Sequence, residues 1–421
     1  MDELKIKRNI ICIDLKSFFA SCECVERNLD PFITPLVVAE PNREGAITLA
    51  VTPYMKKLGV KSRGRIFEIP KTINYKIARP RMSLYIKKSK EVVDIYLDYV
   101  AKEDLHIYSI DECFLDVTNY LKLYKKTPKE LALDIMNTVY KKTGLCATAG
   151  IGPNLLLAKI SMDIEAKHNK DFIAEWTYED IETKLWNITP LSDMWGIGKR
   201  MEKKLNDIGL KKVGDSANYN RLKLKEKFGI IGEELWYHAN GIDLSKISDF
   251  KKEAKEKSIS NSQVLYKDYY NNDVTLIIKE VLNLLLKRLR KENLLTKHVS
   301  LHISYSRNIG GYFSVSKKLE QETNDESELY KVLLSIFNSY YEEDMPVRKV
   351  GISLSKLENN NHIQLNLFDN IKEIDNKTNL NNIVDEINEK YGNNSILKAT
   401  SLLSTSTIKD RNNKIGGHNA R

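Results

Sequence analysis

What this 421-residue sequence lacks narrows the field before anything it contains. No apolar run is long enough to span a bilayer: the most apolar stretch, residues 274–289, is broken by Lys279, Glu280, Asn283, Lys287 and Arg288. The chain opens Met1-Asp2-Glu3, without a basic-then-apolar leader. Cysteine is scarce, at five. Cys12, Cys113 and Cys146 stand among apolar or small residues and read as small buried hydrophobes. Cys22-x-Cys24 has no second pair at zinc-site spacing, which argues against a zinc site. These absences lead to the expectation of a reduced, cytoplasmic protein with no membrane partner. No internal repeat is evident, and neither sign of charge dominates. Lys and Arg number 66 against 57 Asp and Glu, a net charge of +9 that admits a polyanion partner without demanding one. With 42% apolar and 29% charged residues the chain is globular, and its length calls for two to four domains.

The pattern along the chain is that of a multidomain α/β protein. Residues 9–15 form an apolar run ending at an acid, the signature of a buried strand, and residues 36–39 look like another. Residues 17–24 begin a helix, and residues 55–58 form one stopped by Gly59. Residues 82–100 have the period of one long helix. Residues 105–109 and 112–117 read as a hairpin with Asp111 and Glu112 at its turn; residues 131–140 are helical and 146–151 strand-like. After residue 172 the pattern turns helical, with Gly196-Ile197-Gly198-Lys199 between two helices. Residues 243–257, lysine-rich and poor in large apolar residues, read as an exposed tether. A second module then follows in β-α-β-β-α-β order. Its first helix is capped by Asp273 and carries the stripe Ile277, Val281, Leu282, Leu285 and Leu289. Beyond Leu357 the chain is rich in Asn.

Asp14 ends one apolar strand, and Asp111 with Glu112 sits at the turn of another. Carboxylates at the ends of adjacent buried strands can converge, and nothing nearby in the sequence offsets their repulsion, so a cation is the natural partner. Oxygen ligands without His or Cys select Mg²⁺ over zinc, and two such ions suit in-line phosphoryl transfer. On spacing alone the same acids also fit ordinary turn and cap positions.

The wording around the acids is more specific. Residues 13–23, 108–116 and 149–159 resemble, in order and spacing, the three sequence motifs of Y-family DNA polymerases, and the likeness extends through the rest of the chain. It is strongest to UmuC-like proteins of Gram-positive bacteria, plasmids and prophages. Lys16 stands where many members carry a second acid; that position is not a metal ligand in the family pattern.

The resemblance implies a right-hand polymerase: palm at 1–19 and 81–172, short fingers at 20–80, and a helical thumb at 173–242. A linker at 243–257, a little finger at 258–357 and a tail at 358–421 complete it. It implies two Mg²⁺ held by Asp14, Asp111, Glu112 and the carbonyl of Leu15. A dNTP would be met by Phe18, Phe19, Thr52, Tyr54, Lys56 and Lys159, with Phe19 excluding a 2′-hydroxyl. Lys56 replaces the family's usual Arg, and the usual Tyr falls at Pro53, with Tyr54 adjacent. Gly196, Ile197, Gly198 and Lys199 match a helix-hairpin-helix that holds primer-template DNA by its phosphates, although a lone G-x-G also stops helices. Gln364, Leu365, Leu367 and Phe368 resemble a sliding-clamp-binding peptide; a latch onto the chain's own little finger is the alternative. The serine-rich strand faces of the little finger suit DNA-backbone contacts and equally suit water. A UmuD-like protein or a recombinase filament is a further partner to consider. No side-chain base is evident, and His106 reads as structural. The short fingers predict a loose, error-prone grip on the nascent pair. Two rival readings remain: a metal-dependent nuclease and a silent DNA- and clamp-binding module.

Overall fold

The computed structural model describes residues 2–41, 45–252, 256–360 and 371–421. It divides into two compact units, Met1–Lys252 and Glu253–Ala420.

The first unit is organised by a five-stranded sheet of order β5-β6-β1-β7-β8. Its strands are β1 (Ile10–Leu15), β5 (Leu105–Ile107), β6 (Glu112–Asp116), β7 (Ala147–Gly152) and β8 (Ile173–Glu175). The two-residue pleat sends Ile11, Ile13, Leu15, Cys113 and Leu115 into the main core on one face. There they meet α1 (Phe18–Val25), α3 (Met82–Leu97) and α5 (Pro128–Thr143). Ile10, Cys12 and Phe114 face the other side, against α6 (Leu155–Ser161). Both faces are covered, which explains why β1 and β6 are nearly unbroken apolar runs.

A small sheet of β2 (Leu36–Val38), β3 (Ala50–Val51) and β4 (Lys76–Ala78), with α2 (Pro53–Lys57), lies between α1 and α3 in sequence. The helices after β8 run from α7 (Asp180–Thr183) through α8 (Lys199–Asn206), α9 (Val213–Ala217) and α10 (Arg221–Phe228) to α11 (Ile230–Ala239). They share a core built on Leu185, Leu205, Val213 and Leu224.

Three expectations need correction. The sheet does not end at residue 172: β8 pairs in parallel with β7, a strand too short to show periodicity. The expected tether is not wholly exposed. Asp243 is buried and accepts the Leu156 N–H at 3.1 Å, Ile247 joins the core under β1, and Phe250 stacks on His106 at 4.1 Å. Single apolar residues among lysines sufficed to anchor it; residues 253–255 lie outside the described residues. Cys146 is only partly buried, whereas the other four cysteines are buried, and all are free.

The second unit follows the expected β-α-β-β-α-β order: β9 (Ser258–Tyr269), α12 (Asn271–Lys291), β10 (Leu294–Tyr305), β11 (Tyr312–Thr323), α13 (Glu326–Tyr340) and β12 (Val347–Asn359). The sheet order is β11-β10-β12-β9, antiparallel throughout. Val299, Leu301, Ile303, Val350, Ile352 and Leu354 pack with the apolar stripe of α12 and with α13. The stripe is buried as its period demands, but Asp273 lies inside the first turn, because α12 starts two residues earlier at Asn271.

The Asn-rich end is more ordered than its composition suggests. A helix spans Ile371–Tyr391. Further on, Ser406 and Thr407 donate to the buried carboxylate of Glu280, and Arg411 donates to Gln263 and Asn261. Residues 364–368 lie outside the described residues. Among the described residues, no helix is long and apolar enough to cross a membrane.

Candidate active site

Register brings the first two acids together. β1 and β6 are antiparallel with Asp14 opposite Glu112, so both side chains leave the sheet on the face covered by α6. Asp111 precedes the strand: its carbonyl accepts the Leu15 N–H at 2.9 Å, and its carboxylate accepts from Ser109 Oγ at 2.7 Å. Ser17 turns the chain from β1 into α1 with a left-handed φ of 50°, and its Oγ is buried without a partner among the described residues.

Nothing near the acids in sequence offsets their repulsion, as expected, but a distant segment brings compensating charges to them. Asn154 caps α6 by accepting the Leu157 N–H at 2.8 Å, and the helix crosses β7 at Gly150 and Gly152. A Cβ on Gly150 would lie 2.2 Å from the Ala158 carbonyl oxygen, and one on Gly152 2.5 Å from the Ala158 nitrogen, so two missing side chains let helix and sheet touch. This approach delivers Lys159 to the acids. Its Nζ lies 2.8 Å from Glu112 Oε2 and 3.1 Å from Asp163 Oδ2. One turn beyond Asp163, Lys167 Nζ lies 2.9 Å from Asp14 Oδ2 and 2.7 Å from Asp163 Oδ1. Glu112 also accepts from the buried Cys12 thiol at 3.3 Å.

Burial raises the pKa of Asp14 above the usual carboxylate range, against the pull of Lys167; Asp111 adds to the rise. Burial likewise raises Glu112 despite Lys159. Burial works against both ammonium groups, but the acids outweigh it and both lysines are raised: Lys159 chiefly by Asp163, Lys167 chiefly by Asp14. The exposed Lys56 is lowered, first by desolvation and then by Lys167, while Asp14 and Asp111 oppose the fall. The site is therefore a field of alternating charges. Among the described residues no three acids gather into a ready ligand set. A hard cation needs only one or two carboxylates when a substrate's phosphates supply the remaining oxygens. The all-oxygen donor set fits such an ion.

The other expected residues divide. Phe19 is half-buried and stacked on Tyr85 with centroids 4.5 Å apart, while Tyr85 donates to Glu23 at 2.7 Å. Glu23 is fully buried and also receives Arg81 at 2.7 Å, a brace between α1 and α3 that sequence reading missed. Phe18 sits in the core at 2% exposure, because neighbouring helix positions face different ways; only its backbone can meet a nucleotide. Thr52 is committed elsewhere: its hydroxyl donates to the Thr34 carbonyl at 2.8 Å and caps α2. Tyr54 is half-buried at the start of α2.

Gly196 adopts φ +91°, a left-handed turn that favours glycine, and Gly198 is the N-cap of α8. Ile197 is buried, which leaves the backbone as the presenting surface, while Lys199 projects and bonds Ser192 at 2.6 Å. A cavity of about 520 Å³ lies between this loop and Lys159, Asp163 and Tyr108. Trp195 spans its rim by donating to the Tyr108 hydroxyl at 3.2 Å. Lys167, Asp163 and the Trp195–Tyr108 bridge were all missed. Only the Lys159-x-x-x-Asp163-x-x-x-Lys167 spacing, an alternating helical stripe, hinted at the first two.

Comparisons with known proteins bear on the family. The impB/mucB/samB family model matches residues 13–163, its helix-hairpin-helix motif residues 178–210 and its C-terminal domain residues 256–367. The chain is 38% identical to the UV-damage repair protein UvrX of Bacillus subtilis (strain 168), over 98% of each chain. It is 33% identical to DNA polymerase IV 2 of the same organism, over 97% of this chain and 98% of that one. A solved Y-family DNA polymerase chimera of Dbh and Dpo4 superposes with a TM-score of 0.63 at 22% identity, covering 84% of this chain and all of the other. With the acids of β1 and β6 and the hairpin loop in place, these likenesses establish that the chain belongs to the Y-family of DNA polymerases.

Proposed function

We propose that the β1–β6 face is the catalytic centre of this Y-family polymerase, where translesion DNA synthesis joins a dNTP to a primer 3′-hydroxyl. The observation that carries the reading is the Asp14–Glu112 register pair, beside Asp111 and faced by two lysines. Asp14, Asp111, Glu112 and the Leu15 carbonyl would hold two Mg²⁺, which would supply charge to acidify the hydroxyl and neutralise the triphosphate. Lys159 and Lys56 bring positive charge to the phosphates. Phe19, propped by Tyr85, forms the surface under the sugar; a ring there leaves no room for a 2′-hydroxyl. The backbone of the 196–198 loop takes the duplex phosphates without reading sequence.

The serine face of the second unit is the proposed little-finger contact with the DNA backbone. Residues 364–368 are the proposed peptide for a sliding clamp, and a UmuD-like protein or recombinase filament is a candidate partner. The proposed compartment is the cytoplasm.

Primer extension on an undamaged template with Mg²⁺ tests the centre directly. Wild type extends, and Asp111→Ala, purified identically, does not. Equal extension by both proteins defeats the assignment.

A further inference from the structure

We propose that Lys167 is a built-in counter-ion of the active site, whose ammonium holds Asp14 in the metal-free enzyme and must be displaced when a divalent metal binds. The inference rests on the reading of Asp14, Asp111 and Glu112 as metal ligands.

Its position depends on a local irregularity. The backbone of Met162–Ala166 is π-helical, and the Lys167 N–H donates to the Met162 carbonyl, five residues back, at 3.2 Å. In a regular α-helix, eight residues advance about 2.2 turns, which would swing Lys167 away from the face occupied by Lys159. The wider i→i+5 turn rotates less per residue and brings the two lysines closer to a common face. Asp163 lies midway and bonds both. The result is a chain of contacts running Asp14–Lys167–Asp163–Lys159–Glu112, all within hydrogen-bonding distance.

The two lysines differ in how easily they can leave. The Lys159 side chain is 8% exposed, whereas that of Lys167 is 34% exposed. Lys167 can therefore release Asp14 into a hydrated position while retaining Asp163. Lys167 holds Oδ2 of Asp14, and a divalent ion on either oxygen of that carboxylate would lie close enough to the ammonium to repel it strongly. Occupancy of Asp14 by Lys167 thus lowers the apparent metal affinity by the fraction of time Asp14 is free.

The test is Mn²⁺ binding to the full chain without DNA or nucleotide, read by the electron paramagnetic resonance of free Mn²⁺ and by thermal unfolding. Lys167→Met is expected to bind Mn²⁺ about tenfold more tightly than wild type, with a lower Tm in the absence of metal and a larger rise on adding it. Lys167→Arg, which keeps the charge, is expected to bind like wild type. Equal or weaker Mn²⁺ binding by a folded Lys167→Met overturns the inference and leaves Lys167 a structural ion pair. Unchanged Mn²⁺ binding in Asp111→Asn defeats the underlying reading of the acids instead, so the two failures are distinguishable.

Discussion

The two large sheets treat their polar faces in opposite ways. On the β1–β6 face of the first unit, acids and lysines are drawn into a covered site and paired with one another: Glu112 is 8% exposed and Lys159 7%. On the open face of the second unit, β10, β11 and β12 present Ser300, His302, Ser304, Ser314, Ser316, Ser353 and Ser355, all partly or fully exposed. There the polar groups bond each other, as Ser300 does Ser316 and His302 does Ser304. Chemistry on a phosphate needs charge held in place in a low-dielectric setting, where it is strong. The proposed contact of this face with DNA of any sequence would need groups that exchange readily with water. Covering both faces of the first sheet suits the former, and the exposed serines of the second suit the latter.

The sharpest break in that contrast is Asp111→Ala. Extension is expected to fall at least about a thousandfold, equivalent to about 4 kcal/mol of barrier, while primer-template binding persists in an anisotropy titration. Gly150→Val should disturb the same face without touching an acid. Its side chain would collide with the Ala158 carbonyl, so urea unfolding should show a loss of about 3 kcal/mol, and extension should fall with it as α6 is pushed from the sheet.

Glu23→Gln probes the brace behind Phe19. Burial opposes the charge of Glu23, but Arg81 and Tyr85 outweigh it and hold its pKa below the usual range. A carboxylate depressed on folding stabilises fully above its ordinary pKa, and that contribution disappears as pH falls through the depressed value. The variant is therefore expected to lose about 3 kcal/mol at neutral pH, with a shallower decline in stability between about pH 5 and pH 3. Ribonucleotide discrimination should weaken as Tyr85 loosens under Phe19.

On the open face the effects are smaller and of another kind. Ser300→Ala with Ser353→Ala should weaken DNA binding by about 1 kcal/mol with no change in Tm. Lys349 stands opposite Ser304 on the same face, and Lys349→Ala should lower the salt slope of binding by about one. A large loss of stability in either would mean that this face is packed rather than open.

Much of this was legible in sequence because the period and the motif spoke for the same positions. The apolar run ending at Asp14, the hairpin at Asp111 and Glu112, the α12 stripe and the β10 alternation all carry local signals, and all stand in the structure as elements. The charge pairings missed at the site share one cause. Lys167 reaches Asp14 across 153 residues of chain (167 − 14), and Glu23 reaches Arg81 across 58. Phe18 and Thr52 matched a family pattern, but their packing directs them inward.

The family, the order of the elements, Asp14 and Glu112 on their strands with Asp111 at the turn, and the serine face of the second sheet were all readable in the sequence alone. These follow from side-chain period and local motif, which a chain carries whatever its partners. Folding alone pairs Asp14 and Glu112 with lysines, lays α6 against β7 at two glycines, and aims Lys167 at Asp14 through a π-helical turn. Those depend on which distant segments meet, and charge compensation between segments has no period to read.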